Sequence, residues 1–272
     1  MTRPTRRFPL PLAKVHGHAA PKARELLRPQ RPLQQAAADA ARRHQPTGLG
    51  LDSAAVRTRM VERLSVERVA DERVLAAFAA VERHRFVDSA LANQAYEDTS
   101  LPIGHGQTIS KPSVVARMLE LLMGGEYGRA HGHLGRVLEI GTGCGYQTAL
   151  LMQLARSVVS IERVRPLAER AKENLAAQPA TGSCARLHLL HGDGRIGHAP
   201  RAPYDAIVAA AGGEQLPAAW IEQLAAGGRL VAPTHDAALG GQRLVVLDKD
   251  ASSLRRREFD AVHFVALKSG VE

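Results

Sequence analysis

The segment Glu139-Ile140-Gly141-Thr142-Gly143-Cys144-Gly145-Tyr146 stands between a short apolar run, RVLEI (136–140), and a helical pattern over Tyr146–Leu154. Glycines at a strand-to-helix turn let the backbone come close to a ligand, and ligands of open α/β sheets lie outside the carboxyl ends of the strands. A dinucleotide fingerprint, G-x-G-x-x-G, needs its third glycine at position 146, where Tyr146 stands. A P-loop needs a Gly-Lys-Ser/Thr sequence, and none follows. The spacing present is Gly141-x-Gly143-x-Gly145, with an acid, Glu139, two residues before it.

Beyond this segment the chain alternates strand-like and helical patterns. Apolar runs occur at SVVSIE (157–162), RLHLLHGD (186–193), YDAIVAAA (204–211) and GRLVAPT (228–234), with helical patterns over Pro166–Ala177 and Pro217–Leu224. This rhythm predicts a doubly wound, mostly parallel α/β sheet covered on both faces. Two further runs, RLVVLDKD and AVHFVAL, lack a helix between them and predict an antiparallel hairpin at the sheet edge. Glu162 closes the second strand, 21 residues beyond Gly141, where a carboxylate accepts hydrogen bonds from ribose hydroxyls. Asp193, in His191-Gly192-Asp193-Gly194, ends the third and is placed for an adenine amino group. Glycine loop and two acids in this order fit S-adenosylmethionine, whose amino-acid part needs no pyrophosphate cradle. As plain structure, Glu162 is an exposed strand-end acid and Asp193 a turn former.

The charge is unevenly placed. Residues 1–50 hold 10 Lys/Arg against 2 acids, and residues 51–272 hold 26 against 25. The formal +9 therefore belongs to the N-terminal segment, and a nucleic-acid partner is not expected for the nearly neutral remainder. Pro4, Pro9, Pro11, Pro21, Pro29, Pro32 and Pro46 make residues 1–50 a basic, proline-rich tail that is expected to be disordered. A short helix over 34–43 fits within it, and Thr47–Gly50 reads as a hinge. Residues 51–272 form the expected catalytic domain. Its hydrophobic and charged fractions are ordinary for a globular protein, and with aromatics at 4% its core must be aliphatic. Cys144 and Cys184 are too few for a disulfide framework. No run approaches the ~18 apolar residues of a membrane span. The N-terminus lacks a clean apolar h-region, which points to the cytoplasm, with an Arg-rich mitochondrial presequence as the alternative. His131-Gly132-His133 has no second ligand pair at zinc spacing, so no metal is expected. Arg255-Arg256-Arg257 reads as a solvated hairpin turn.

Upstream of the sheet, Val56, Met60 and Leu64 share a helix face capped by Ser53, and Val74, Leu75 and Phe78 mark a second helix over 71–81. The stretch 84–110 reads as irregular. Ser110 then reads as the cap of a helix that runs to Met123 with Pro112 in its first turn.

LPIGHGQTISKPSVVARMLELL (101–122), VLEIGTGCGYQTALLMQLA (137–155), HGDG (191–194), PYDAIVAAA (203–211), AAGGRLVAPT (225–234) and VHFVAL (262–267) together resemble the protein-L-isoaspartate O-methyltransferase family. The similarity runs from about residue 55 to 268, and Gln107-Thr108-Ile109-Ser110 is its specific part. The resemblance implies a class I methyltransferase fold, with Glu139, Gly141, Gly143, Gly145, Tyr146, Glu162, Asp193 and Gly194 holding S-adenosylmethionine. It implies isoaspartyl-containing proteins and peptides as substrates, the free α-carboxylate being methyl-esterified as a step of protein repair. It gives the serine matching Ser110 the active-site role, with Thr108 and Gln107 shaping the same cleft.

The nucleophile is a carboxylate with a pKa near ~3.5, so no general base is needed. Catalysis is expected from alignment and exclusion of water. Departures occur at Ala211-Gly212-Gly213-Glu214-Gln215-Leu216-Pro217 and in the stretch after Pro233, and they bear on peptide preference. No counterpart of the tail is apparent. The chain is expected to act as a monomer, away from membranes. The alternatives are a class I methyltransferase with another substrate, such as RNA, or a non-catalytic binding protein of the same fold.

Overall fold

The inner parallel strands of the central sheet are largely apolar because both faces are covered. Val137 and Val158 pack into one core, whereas Leu138, Ile140, Val159 and Ile161 pack into another on the opposite face, following the two-residue period of a pleated strand. The computed structural model describes residues 54–67, 69–178, 185–236 and 240–272, all within the unit Leu49–Glu272. The expected tail, its short helix and hinge, the Ser53 cap and Cys184 lie outside these residues.

In chain order, helices α1 (Ala54–Glu67) and α2 (Glu72–Ala80) are followed by two 3-10 turns, Arg83–Phe86 and Ser89–Gln94. A hairpin of β1 (Leu101–Gly104) and β2 (Gln107–Ile109) leads into α3 (Pro112–Met123) and α4 (Glu126–His131). The sheet then alternates β3 (Arg136–Ile140), α5 (Tyr146–Leu154), β4 (Ser157–Glu162), α6 (Arg165–Ala176), β5 (Arg186–His191) and β6 (Tyr204–Ala209). It closes with α7 (Ala218–Gln223), β7 (Leu224–Asp236), β8 (Gly241–Lys249) and β9 (Leu254–Val262). Spatial order is β5-β4-β3-β6-β7-β8-β9. Pairing is parallel from β5 to β7, and β8 and β9 join as an antiparallel meander. The winding reverses at β3, whose neighbours are β4 and β6, so its carboxyl end is the switch point where an open sheet leaves a crevice.

Four local expectations are corrected. The stretch read as irregular contains the β1–β2 hairpin, turning through Gly104, His105 and Gly106, all at positive φ. Ser110 is not the cap of α3: the cap position is Lys111, with no side-chain bond. Asp98 does that work from the preceding loop, accepting from Ser113 N at 2.9 Å and from Ser113 Oγ at 2.8 Å. VHFVAL is not the closing strand. The strand β9 is LRRREFDAV, and the chain leaves the sheet at Val262. Arg255, Arg256 and Arg257 are therefore strand residues rather than a turn, and they pair with Asp250, Glu258 and Asp248.

Candidate active site

The loop after β3 is built on glycine because its backbone requires it. Gly141, Gly143 and Gly145 have φ of +89°, +56° and +92°, a region that side chains with a Cβ enter at a cost. Their surroundings differ. Gly141 and Gly143 line a cleft at the switch point, whereas Gly145 starts α5 and lies against Leu175 of α6. Asn174 donates to Cys144 O at 2.9 Å and holds the loop from that helix.

Glu139 lies beneath the loop. It is fully buried, and its Oε2 accepts from Thr148 Oγ1 at 2.5 Å and Ser160 Oγ at 2.6 Å, while Oε1 makes no well-formed bond among the described residues and has Gln147 beside it. Burial pushes its pKa up from 4.5 to about 7, against the hydroxyl bonds that favour the anion. Thr142 joins the same network through Ser160 Oγ at 2.6 Å. The arrangement props the glycine loop from below. Tyr146 is also interior, with its ring against Phe78 and Phe86. Burial raises its phenol pKa.

Glu162 stands at the rim, where Oε2 accepts from Gly143 N at 2.8 Å and Oε1 from Val164 N at 2.9 Å. Each carboxylate oxygen has a second lone pair, so it can accept a ligand hydroxyl while holding its loop. Gly194 lines the same cleft, and its carbonyl accepts from Trp220 Nε1 at 2.8 Å. Asp193 turns away into structure: Oδ1 accepts from Arg195 N at 2.8 Å and Oδ2 from Gly270 N at 2.6 Å.

The opposite wall is the hairpin. Ile103, Gln107, Thr108 and Ser110 face Gly141, Gly143 and Glu162 across the cleft. A smaller chamber of about 40 Å³ continues inward from Thr108 and Ser110 to Tyr146 and Gln147. Among the described residues the Gln147 Nε2 and Tyr146 hydroxyl, on residues that line it, make no well-formed hydrogen bond, Gln147 lying beside Glu139 and Tyr146 beside Arg83. Ser110 Oγ has no bond among the described residues.

Sequence reasoning missed a further part of the lining. After Phe264 the chain crosses the strand ends as a strap, and Val265–Lys268 line the cleft. Gly212 N donates to Val265 O and Leu267 N to Gly212 O, at 2.9 and 2.8 Å. Glu272 exchanges backbone bonds of 2.8 Å with Arg163 and Arg165. Alternating apolar residues in VHFVAL signalled a strand, and nothing in the pattern separates a strand from a strap that buries alternate residues. Arg163 and Ala210 were missed too, and only their position just after a strand marks them.

A sheet that reverses at a G-x-G-x-G loop, with an acid closing the next strand, defines a class I methyltransferase fold. Residues 55–272 match the family described as Protein-L-isoaspartate(D-aspartate) O-methyltransferase (PCMT). The chain is 60% identical to the protein-L-isoaspartate O-methyltransferase of Methylibium petroleiphilum over 271 residues, 99% of this chain and 98% of that one. It is 53% identical to the Leptothrix cholodnii protein of the same name, over 97% and 94%. The first of these alignments takes in the N-terminal segment, so the tail has a counterpart. A solved protein-L-isoaspartate O-methyltransferase superposes with a TM-score of 0.67 at 26% identity, covering 79% of this chain and 67% of that one. The Plasmodium falciparum relative, solved with S-adenosyl-L-homocysteine, shares the fold with a TM-score of 0.63 at 22% identity over 80% and 98%. The chain belongs to the protein-L-isoaspartate O-methyltransferase family.

Proposed function

We infer that this chain transfers a methyl group from S-adenosylmethionine to the free α-carboxylate of L-isoaspartyl residues in damaged proteins, and that the switch-point cleft is where it does so. The observation that carries the reading is the convergence of two walls: Thr108 and the unpartnered Ser110 hydroxyl on one side, Gly143 and Glu162 on the other. The residues fit the cofactor. A Cβ on Gly143 would lie 3.3 Å from Ile103 Cδ1, in the space between loop and hairpin. Glu162 offers acceptors suited to a ribose diol, and Gly194 leaves a flat approach for the base. Asp193 enters this reading as the anchor of turn and strap, and Glu139 as the support of the loop.

When bound, S-adenosylmethionine supplies an electrophilic methyl on a sulfonium. The chain's own residues need only bind and orient. Ser110 donates a hydrogen bond from its hydroxyl to the substrate carboxylate, which is already ionised before the transfer and so requires no base. Thr108 and Gln107, with its Nε2 held 3.3 Å from His105 O, shape the cleft mouth. The hairpin and strap border the cleft and would shield a bound carboxylate from water while these residues orient it.

Among the described residues no helix is long and apolar enough to cross a membrane. Among the described residues the exposed large apolar side chains are Val66, Ile196, Leu254 and Val271, well separated in sequence, which supports a monomer; sedimentation showing a stable dimer would refute that. We take the cytoplasm as its place and residues 1–50 as an appended tail. The deciding assay is methyl transfer to an isoaspartyl peptide beside its normal aspartyl twin. Transfer to the first alone is expected, and equal transfer to both, or to neither, would overturn the reading.

A further inference from the structure

We propose that Arg83 is a positioning residue for the reaction: a buried guanidinium that ties the Ser110 segment to the cofactor loop. Arg83 is 0% exposed. Its Nε donates to Ala95 O at 2.7 Å, and Nη2 donates to Ser110 O at 2.8 Å and to Thr99 O at 3.3 Å. These three carbonyls belong to the two ends of the segment that carries the β1–β2 hairpin. The guanidinium carbon lies 4.8 Å from the centre of the Tyr146 ring, the first residue beyond the glycine loop. One side chain therefore contacts both the segment that carries the hairpin and the first residue of α5, behind the glycine loop. Aromatic faces attract such a cation, more strongly when water is excluded.

No ion pair offsets the burial of this charge. Among the described residues no carboxylate lies within ion-pair distance of Arg83, Asp98 acting on it only from farther away, and Nη1 and the Tyr146 hydroxyl face each other without a well-formed hydrogen bond. A buried, unpaired cation is costly, and burial accordingly pulls its pKa down. What a guanidinium supplies is a planar fork of fixed geometry. Here the fork sets the Ser110 carbonyl, and with it the direction of the Ser110 hydroxyl one residue from the hairpin. A lysine would keep the charge but has no rigid fork to span Ala95 and Ser110 together.

This inference rests on the role given above to Ser110, and the test separates the two. The wild type, Ser110→Ala, Arg83→Lys and the double variant are compared for kcat and KM on an isoaspartyl peptide and for S-adenosylhomocysteine affinity. Arg83→Lys is expected to lower kcat about tenfold, with cofactor affinity within twofold, and to add little further loss in the Ser110→Ala background. Arg83→Ala with added methylguanidinium is the second arm, where recovery of kcat beyond any change in folded fraction supports the proposal and recovery that only tracks folding overturns it. Native kcat in folded Arg83→Lys overturns the proposal, as do losses that simply add to that of Ser110→Ala. Failure of both Arg83 variants to fold, with no recovery by methylguanidinium, makes Arg83 a folding residue and also overturns it. Full turnover by Ser110→Ala would instead remove the Ser110 assignment on which the inference stands.

Discussion

Ser110 and Asp98 exchange the roles that pattern alone assigns them. A serine before Lys-Pro at a helix start reads as a cap, yet Asp98 reaches the α3 terminus from fifteen residues upstream. Side-chain caps are worth about 0.5–2 kcal/mol. Asp98→Ala should therefore lose that much in urea unfolding, and Ser110→Ala should lose less than about 0.5 kcal/mol. Turnover should respond the other way, falling strongly in Ser110→Ala and Ser110→Gly alike. Native turnover in both serine variants would exclude the hydroxyl from the reaction. Gly143→Val is expected to weaken S-adenosylhomocysteine binding in calorimetry, since a branched residue is strained at φ +56° and its Cβ would fall 3.3 Å from Ile103. Glu139 makes a prediction about pH. Its folded pKa, about 7, lies above its ordinary 4.5, so the native state holds an extra proton between these values. Its contribution to stability is present below 4.5 and is lost as pH rises through 7. Glu139→Gln should flatten that decline, which denaturant melts from pH 4.5 to 8 would show.

At the scale of elements, the parallel strands were legible and the edges of the site were not. Residues buried on both faces leave continuous apolar runs, and RVLEI and SVVSIE match β3 and β4 residue for residue. The β1–β2 hairpin has strands of only four and three residues and a turn with two glycines, too little periodicity to register. Edge strand β9 is largely exposed, and its arginines guard an unpaired edge, so apolar patterning pointed to the strap instead. That Gly141, Gly143 and Glu162 share one cleft was legible, because the spacing of glycines and a strand-end acid dictates it. The site was not legible where long-range packing decides, as for Asp193, whose carboxylate holds a backbone 77 residues away. Gly212, which departs from the family pattern, belongs to this scale. A Cβ there would lie 2.5 Å from Gln242 Nε2, and Gln242 Oε1 accepts from Phe264 N at 2.7 Å at the root of the strap. Gly212→Ala should push Gln242 aside, free that N–H and speed hydrogen exchange at Phe264. Unchanged exchange in a folded variant would mean that the loop absorbs the methyl group elsewhere.

For the whole molecule, the tail carries nearly all the net charge and the family match begins after it, at residue 55. Removing residues 1–50 should leave peptide methylation within about twofold at ordinary salt, as screening already mutes distant surface charge there. A tenfold loss in kcat/KM would make the tail part of the site. The strap has a consequence for the enzyme's timetable. It borders the cleft and is moored beyond it at Asp193 and Arg163, and we expect departing product to require those moorings to loosen. Each turnover then includes a waiting time set by the mooring rather than by the methyl group, and kcat should rise with temperature as a local opening does, steeply and alike for fast and slow peptides.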